Sequence, residues 1–433
     1  MRRITAILVI GAALALCAGA PALATNGMYM VGYGAETIGR GGANIAISDR
    51  SLALSFNPAG IAQLQGNHAT LNISVLNPSL EYENMLNGPV KSESASFPMP
   101  AFSYVRGSKE SPWSWGVGLI GIGGMGAHFK GLNTPFGTVD ETFTEVSFGA
   151  ITPTVAYAVN DDMAFGLTLD IGYGQASYKF YPDTSFFNTM APEYSFFGMD
   201  MDNAAGMQYA ARLGWWWRPD PKFSIGVIYQ TETESTFEDG TMTMNFEAHP
   251  FLQQRVKYDA EMDGFTFSAQ AGIGFAYRPT DKLELAFDVK RYYWDHAINT
   301  ITVYATNPEI QGAPDITVPF IFNWEDQWVF AVGADYRVND KVTLRAGYNY
   351  GENPVPDETL NPLFPATVEN HASLGASIYS KSITWEFGLE RGFEAENTNN
   401  NPNPQVNPFG PGSTVRHDQW TVAFGLSWAW ARN

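Results

Sequence analysis

The sequence has little charge and almost no cysteine. Asp, Glu, Lys and Arg make up 16% of its 433 residues, against about 25% in an ordinary soluble domain. The single cysteine is Cys17, and after the N-terminal region no run offers the roughly 18 uncharged apolar residues that a membrane helix needs. These absences exclude a disulfide scaffold and a helical membrane protein, and they disfavour an ordinary soluble enzyme.

The N-terminus is predicted to be a signal peptide of residues 1–24. Arg2 and Arg3 precede an apolar stretch of residues 4–16, and Ala22-Leu23-Ala24 fits a cleavage site. Cys17 lies inside this signal, and a bulky Leu16 before it disfavours lipidation. Removal of two arginines changes the formal net charge from −19 to −21, which disfavours nucleic acid as a partner.

Long strands are predicted by strict alternation of large apolar residues with small or charged ones. Between residues 163 and 173, Met, Phe, Leu, Leu, Ile and Tyr alternate with Ala, Gly, Thr, Asp and Gly. The same pattern recurs over residues 283–290, 342–350, 383–389 and 420–430. A soluble sandwich also alternates, but these strands are long enough to cross hydrocarbon when tilted and they carry Trp and Tyr at their ends. We therefore expect an all-β antiparallel transmembrane barrel.

The connections between these strands alternate between short and long. Short links fall at residues 107–112, 160–162, 219–222, 279–282, 339–341 and 380–382, and long links at 81–95, 131–141, 181–205, 238–262, 305–322, 351–366 and 393–416. Six short and seven long links join fourteen strands, and bacterial barrels have short periplasmic turns and long outer loops. Residues 67–433 are therefore predicted to form the barrel, with both ends in the periplasm.

Residues 25–66 do not follow the strand pattern. They are rich in Gly and small side chains, too polar to face lipid and too apolar for a free tail. A fourteen-stranded barrel has a lumen wider than side chains alone can fill. We expect this segment to be a plug, or hatch, inside the barrel.

Several motifs carry a family resemblance. Asn57-Pro58-Ala59 follows the Gly-rich run at residues 39–43, and Gly347-Tyr348-Asn349-Tyr350 precedes a second Asn-Pro pair. The chain resembles the long-chain fatty acid outer-membrane transporter family (FadL-type), which includes aromatic-hydrocarbon transporters. The resemblance implies a monomeric outer-membrane protein without enzymatic activity or cofactor, which takes up hydrophobic compounds passively. Its ligand would be captured at outer loops, pass to an inner apolar pocket and leave sideways into membrane lipid beside a kinked third strand.

Two glycine-containing motifs are assigned roles in this scheme. Gly121, Gly123, Gly124 and Gly126 lie on the third predicted strand, where glycine permits a bulge or kink; their match to a dinucleotide motif lacks the required following helix. The lateral gap implied by the resemblance falls here. In the hatch motif Asn57, Pro58 and Ala59, Asn caps backbone groups and Pro fixes φ, so the motif is either a moving part or a static turn.

Ligand contacts are predicted at two places. The long link at residues 181–205 carries the apolar side chains Phe186, Phe187, Met190, Phe196, Phe197 and Met199, which indicate a capture patch or a packed lid. For a carboxylate head group the candidates are Gln175, Lys179, Lys290 and Arg291. Gln175 stands where the resemblance predicts an arginine, which favours a neutral hydrocarbon as the alternative ligand.

Other functional classes are disfavoured. The six histidines show no metal-ligand spacing, and no Gly-x-Ser-x-Gly motif supports a lipase. A general porin or a structural surface antigen remains an alternative to a plugged transporter.

Overall fold

The computed structural model describes residues 26–93, 96–233 and 235–430. The predicted signal peptide lies outside these residues. The described chain is almost entirely antiparallel strand, with the following bounds: β1 Gly66–Glu83, β2 Val90–Lys91, β3 Phe97–Ser108, β4 Ser111–Asn133, β5 Val139–Asn160, β6 Met163–Phe186, β7 Phe196–Asp220, β8 Phe223–Gln230, β9 Phe237–Asn245, β10 Arg255–Asp263, β11 Ala269–Thr280, β12 Leu283–Tyr293, β13 Thr300–Thr306, β14 Ile316–Ile321, β15 Gln327–Asn339, β16 Val342–Gly351, β17 Asn370–Ser380, β18 Ile383–Asn399 and β19 Ser413–Trp430.

Helical structure is short. The described residues contain two α-helices, α1 (Ala35–Gly39) and α2 (Trp294–Ala297), and four 3₁₀ helices: η1 Ser51–Ser55, η2 Pro58–Gln63, η3 Pro192–Tyr194 and η4 Asp357–Thr359. In the described part of the chain, none of the helices combines the length and the apolarity needed to cross a membrane.

Fourteen strands pair in a closed ring. Its order is β1, β3, β4, β5, β6, β7, β8, β11, β12, β15, β16, β17, β18 and β19. Closure comes from β19 pairing with β1, from Asn67 opposite Trp430 to Glu83 opposite Thr414. Every strand of the ring is hydrogen-bonded to a neighbour on each side over at least part of its length. Hydrocarbon requires such pairing because it offers the backbone no other hydrogen-bond partner. The prediction of a fourteen-stranded antiparallel barrel is confirmed.

The wall continues beyond the ring at the end with the long links. There β2, β9, β10, β13 and β14 extend it through pairings such as β7 with β9 and β10 with β13. The links expected over residues 181–205 and 238–262 therefore contain strand, and the actual loops are residues 187–195 and 246–254. The strand pattern was missed because above the apolar band the outward side chains are polar and the inward ones apolar, as in β10, which reverses the alternation that marks a lipid-facing strand.

The two faces of the ring differ as the alternation predicts. On β6, Phe165 and Leu169 point outward and are about half exposed (51% and 47%), whereas Thr168 and Asp170 point inward and are buried. Exposed aromatic side chains ring the wall at both ends of this apolar band, Trp113, Tyr157, Trp217, Tyr277, Tyr336, Trp385 and Trp430 at the short-turn end and Tyr209, Tyr229, Trp328, Tyr348 and Trp420 at the long-loop end. These belts mark the two boundaries of a hydrocarbon layer.

Residues 26–65, called here the inner segment, are almost completely buried and contain α1, η1 and η2. Small inward-facing residues of the ring let this segment approach the wall closely. A Cβ on Gly347 of β16 would stand only 2.2 Å from the carbonyl carbon of Arg40. Glycine is thus required where the wall backbone and the inner segment meet.

Candidate functional site

A large apolar cavity opens at the long-loop end. This outer cavity has a volume of about 670 Å³ and is lined by residues from six separate parts of the chain. Its lining comprises Pro135, Phe136, Tyr178, Phe180, Tyr181, Glu193, Tyr194, Ser195, Phe196, Met199, Val318, Pro319, Phe320, Ile321, Asn361, Pro404, Gln405, Val406 and Pro408. Its size and mostly apolar lining are typical of a small-molecule site.

The predicted capture loop contributes only part of this cavity. Phe196 and Met199 line it, and Phe136 stacks on Phe196 and Phe186 with ring centroids 4.7 and 5.4 Å apart. Phe187 and Phe197 instead pack on His249, at 5.6 and 5.7 Å. The side chain of Met190 is 94% exposed.

The remaining lining comes from distant loops. Val318, Pro319, Phe320 and Ile321 belong to β14, and residues 404–408 belong to the last long loop. Sequence reasoning missed these residues, because only the folded barrel brings their loops together. An apolar run at residues 318–322 inside a predicted outer loop was the available signal.

An aromatic column continues from the outer cavity into the lumen. A small apolar lumen cavity of about 20 Å³ shares Tyr178 and Phe320 with the outer cavity and also contacts Phe364. Ring-to-ring contacts then run from Phe364 through Phe265, Phe148 and Phe267 to Tyr29 of the inner segment, at 6.2, 5.6, 4.7 and 5.1 Å. These rings are buried against one another, so an apolar ligand that parts them meets a continuous apolar surface from the outside to the inner segment.

Strand β4 leaves the register of β5 at the predicted glycines. Gly121 lies opposite Gly149, but Gly123 lies opposite Phe148, so Ile122 forms a bulge. Gly124 and Gly126 follow the bulge and face Ser147 and Glu145. A bulge bends a strand and strengthens its local twist.

Among the described residues, the other edge of β4 has no ladder partner beyond Ile120, although further along the strand the His128 carbonyl accepts from Glu93 N at 2.8 Å. Its pairing with β3 ends at Ile120 opposite Ala101, although residues 97–100 of β3 still pair with β1. Tyr29 of the inner segment forms a β-bridge with Gly123, and the Tyr33 hydroxyl donates to the Ile122 carbonyl at 2.8 Å. The inner segment therefore covers the place where the β3–β4 ladder stops.

The motif Asn57-Pro58-Ala59 anchors the inner segment to β6, β7 and β8. The Asn57 side chain accepts from Ala59 N at 3.2 Å and donates to the carbonyls of Ile45 and Trp215 at 2.8 and 3.2 Å. Pro58 is the first residue of η2, where its fixed φ suits a helix start. These contacts are those of a fixed turn docked on the wall.

A buried ion network joins the inner segment to β15 and β16. Arg40 contacts Glu36 at 2.8 Å and Asp335 at 2.7 Å, and Arg345 contacts Asp335 at 2.9 Å. Glu36 also pairs with Arg50 at 2.9 Å. Burial alone would raise the pKa of Glu36, but the guanidinium groups of Arg50, Arg345 and Arg40 hold that pKa well below its ordinary value.

The candidate head-group residues are separated by the barrel wall. Lys290 faces the lumen, where its Nζ donates to the Gly42 carbonyl at 2.9 Å and lies 3.9 Å from Asp288. Gln175 and Lys179 lie on the outward face of β6, and Lys179 pairs with Asp200 at 3.1 Å. Arg291 also points outward, pairing with Asp326 and lying over Trp328.

A second lumen cation, Arg212 of β7, escaped the sequence analysis. Its guanidinium contacts Asp170 at 3.3 Å and Gln230 at 2.6 Å and donates to the Leu54 carbonyl. With Lys290 and Tyr29 it borders a cavity of about 30 Å³ beside the inner segment. Its inward position in an alternating strand was the signal that could have revealed it.

The described residues contain no group of three or more His, Asp or Glu side chains arranged to hold a metal ion. A closed antiparallel ring with aromatic belts, an occupied lumen and an apolar site at its long-loop end defines a plugged membrane barrel of the outer-membrane type. A family model described as "Outer membrane protein transport protein (OMPP1/FadL/TodX)" matches residues 15–430. The chain belongs to this family, and the family identified from the sequence motifs is confirmed.

Solved structures share the fold at low sequence identity. The P. putida toluene transporter TodX is 18% identical with a TM-score of 0.76, covering 93% of this chain and 99% of its own. The Ralstonia pickettii toluene transporter TbuX is 20% identical with a TM-score of 0.70, covering 92% and 98%. A Pseudomonas aeruginosa FadL homologue is 16% identical with a TM-score of 0.77, covering 93% and 99%. No curated protein sequence matches the chain.

Proposed function

We propose that this protein is a passive outer-membrane channel for neutral hydrophobic small molecules, with monoaromatic hydrocarbons as the first candidates. The observation that carries the proposal is the unbroken aromatic surface from the outer cavity through Phe265 and Phe148 to Tyr29. Two of the solved structures with the same fold are toluene transporters. Stacked and edge-on rings along this path suit a flat aromatic ligand.

Transport along this path needs no energy source. Each CH₂ group leaving water for an apolar site gains about 0.8 kcal/mol, and a comparable gain awaits the ligand in membrane hydrocarbon. The ligand therefore moves downhill from water to lipid, with the outer cavity raising its local concentration. The protein's task is to provide a way past the polar outer surface.

Charge compensation in the lumen favours a neutral ligand. Arg212 is paired with Asp170, and Lys290 lies beside Asp288 and donates to a carbonyl. A ligand carboxylate would have to displace these partners and leave a buried acid without its cation, which costs several kcal/mol. A hydrocarbon pays no such penalty because it brings no charge.

The exit lies beside β4 in this proposal. The inner segment serves as the hatch, and its first residues cover the place where the β3–β4 ladder ends at Ile120. The Tyr29–Gly123 bridge and the Tyr33 hydrogen bond to Ile122 hold these residues against β4. Movement of residues 26–33 would open the gap sideways, while the ion network around Arg40 keeps the rest of the inner segment in place.

Proteoliposomes test the proposal directly. Protein-containing vesicles are expected to take up radiolabelled toluene faster than empty vesicles and to resist swelling in small sugars. Rapid sugar-driven swelling would identify an open porin instead, and equal toluene uptake by both kinds of vesicle would reject the channel.

Long-chain fatty acids are the second candidate. The specific observation in their favour is that Arg212 and Lys290 border one cavity beside Tyr29. Excess palmitate should leave toluene uptake unchanged if the ligand is neutral, whereas strong competition would favour the fatty acid. Mass spectrometry of ligands extracted from the purified protein gives an independent answer.

A further inference from the structure

A cavity lies on the outward face of the wall, across β4, β5, β6 and β7. This wall cavity has a volume of about 410 Å³, and it shares only Ala176 and Ser177, within the wall strand β6, with the lumen cavity. Its lining comprises His128, Glu141, Phe143, Glu145, Ser147, Gln175, Ala176, Ser177, Lys179, Asp202 and Asn203. Glu141, Phe143 and Glu145 alternate along β5 with the buried lumen residues Thr142 and Thr144, so the cavity faces away from the lumen.

The bulge in β4 creates this cavity. Because Ile122 is unpaired, the residues that follow it change faces relative to those before it, and Gly124 and Gly126 come to lie opposite the outward residues Ser147 and Glu145. Neither glycine has a side chain to cover the neighbouring strand. A depression walled by β5, β6 and β7 is the result.

The depth of the wall cavity relative to the membrane follows from the point at which the apolar band on β6 ends. On β6 the outward side chains run through Leu169, Ile171 and Tyr173 and then change to Gln175, Ser177 and Lys179. The cavity therefore begins just beyond the belt of aromatic residues at the long-loop end, at the depth of the outer-leaflet headgroups.

The charges in the cavity select against anions. His128 pairs with Glu141 at 3.0 Å, and Lys179 pairs with Asp200 at 3.1 Å. Among the described residues Glu145 has no ion-pair partner, and Asp202 adds a further negative charge to the lining. An incoming phosphate would be repelled, whereas hydroxyl groups can donate to these carboxylates.

We propose that the wall cavity binds the sugar headgroup of an outer-leaflet glycolipid. Gln175, Ser177 and Asn203 supply amide and hydroxyl groups that hydrogen-bond sugar hydroxyls, the Glu145 carboxylate accepts from them, and the Phe143 ring offers an apolar face. The acyl chains of the same lipid would lie along the apolar band below. This site is on the opposite side of the wall from the hydrocarbon path.

Native mass spectrometry of the detergent-purified full-length protein tests the site. The probe is an uncharged glycosyl diacylglycerol, compared with phosphatidylglycerol and phosphatidylethanolamine, whose headgroups carry a phosphate. Wild type is expected to retain one glycosyl diacylglycerol molecule in preference to either phospholipid. Glu145→Gln should weaken retention about tenfold, the effect of losing a hydrogen bond to a charged group, and Gln175→Trp, which fills the cavity from the outward face of β6, should abolish it.

A matched control is Glu261→Gln on the exposed face of β10, outside the cavity, and it should retain the glycolipid like wild type. Barrel folding of every variant is checked by circular dichroism and heat-modifiable gel migration. Equal retention by wild type and both cavity variants, or no preference over phospholipids, would overturn the proposal. Loss of hydrocarbon uptake by folded Gln175→Trp would also overturn it and assign the cavity to the exit path.

Discussion

Tyr29 of the inner segment forms a β-bridge with Gly123, at the point where β4 has slipped out of register with β5. The contact is close, since a Cβ on Gly123 would stand 2.3 Å from the Met28 carbonyl oxygen. The wall and the segment that covers its gap thus meet backbone to backbone. Any side chain at Gly123 has to push residues 26–33 away.

Replacement of Gly123 should therefore loosen the inner segment without unfolding the barrel. The predicted mature chain has no cysteine, so Met28→Cys, at a fully buried position, provides a specific reporter. We expect the thiol of Met28→Cys to react slowly with a water-soluble maleimide, and about tenfold faster or more when Gly123→Val is added, because the segment opens more often. Gly88→Ala, where an added Cβ meets nothing within 4 Å, is the control and should not accelerate labelling.

Loss of Arg40 should detach the inner segment from β15. Arg40→Ala removes one of the cations that Glu36 and Asp335 share, while Arg345 stays beside both acids, so the cost is expected to stay below the ~3–5 kcal/mol of breaking an isolated buried pair. Hydrogen exchange of residues 34–43, followed by mass spectrometry, should rise strongly while the strands stay protected. Arg218→Ala, which removes a largely exposed pair with Asp162 at the short-turn end, should leave this exchange unchanged.

The attachment of the inner segment should also depend on pH in a defined direction. The pKa of Glu36 lies well below its ordinary value because Arg50, Arg345 and Arg40 outweigh its burial. Its contribution is fully present above the ordinary Glu pKa of about 4.3 and is lost as the pH falls from there through the depressed pKa of the folded state. Exchange of residues 34–43, corrected for intrinsic rates, should be flat from about pH 7 to 5 and rise below about pH 4. Glu36→Gln should remove this part of the acid dependence, and an unchanged profile in that variant would contradict the assignment.

Ligand capture should depend on Phe196 and not on Met190. Phe196 lines the outer cavity and stacks on Phe136, whereas Met190 is exposed in the same loop. Loss of the buried ring costs about 1.5–3 kcal/mol of ligand contact, so Phe196→Ala should raise the half-saturating toluene concentration about tenfold or more. Met190→Ala is the matched control. Equal half-saturation in both variants would show that the outer cavity has no part in capture.

Removal of the carboxylate that pairs with Arg212 should change which ligands the protein prefers. Asp170→Asn removes the carboxylate that lies 3.3 Å from Arg212, and the freed guanidinium can then bind an anion. We expect uptake of octanoate relative to octane to rise about tenfold in vesicles, the size of one charge-assisted hydrogen bond. Asp161→Asn, in an exposed short turn, should leave the ratio unchanged, and a similar rise there would point to surface charge instead.

Local pattern predicted much of the barrel because lipid imposes a simple rule. Alternation along residues 163–173 located β6 and its faces, and Trp and Tyr at strand ends located the aromatic belts. Above the lipid this rule stops, so β9 and β10 were taken for loop although they pair with each other. The glycines at 121–126 indicated a kink, and the register shift lies within them.

Contacts between distant parts of the chain could not be predicted from the sequence. Lys290 and Arg291 are adjacent, yet one faces the lumen and the other lies over Trp328 outside. Arg212 can be recognised as a neutralised cation only when its ion pair with Asp170, on a neighbouring strand, is known. The outer cavity is formed where β14 and the loop at residues 404–408 lie beside Phe196. No local sequence pattern predicts which loops come into contact.

The sequence by itself determined the strand number, the family and the apolar exterior, since each follows from residue spacing that repeats along a chain crossing hydrocarbon. The tertiary structure decided which cations are neutralised, which loops form the outer cavity and where the inner segment touches β4. These features depend on ring closure, which brings residues more than a hundred positions apart into contact and fixes the side of the wall on which each side chain lies.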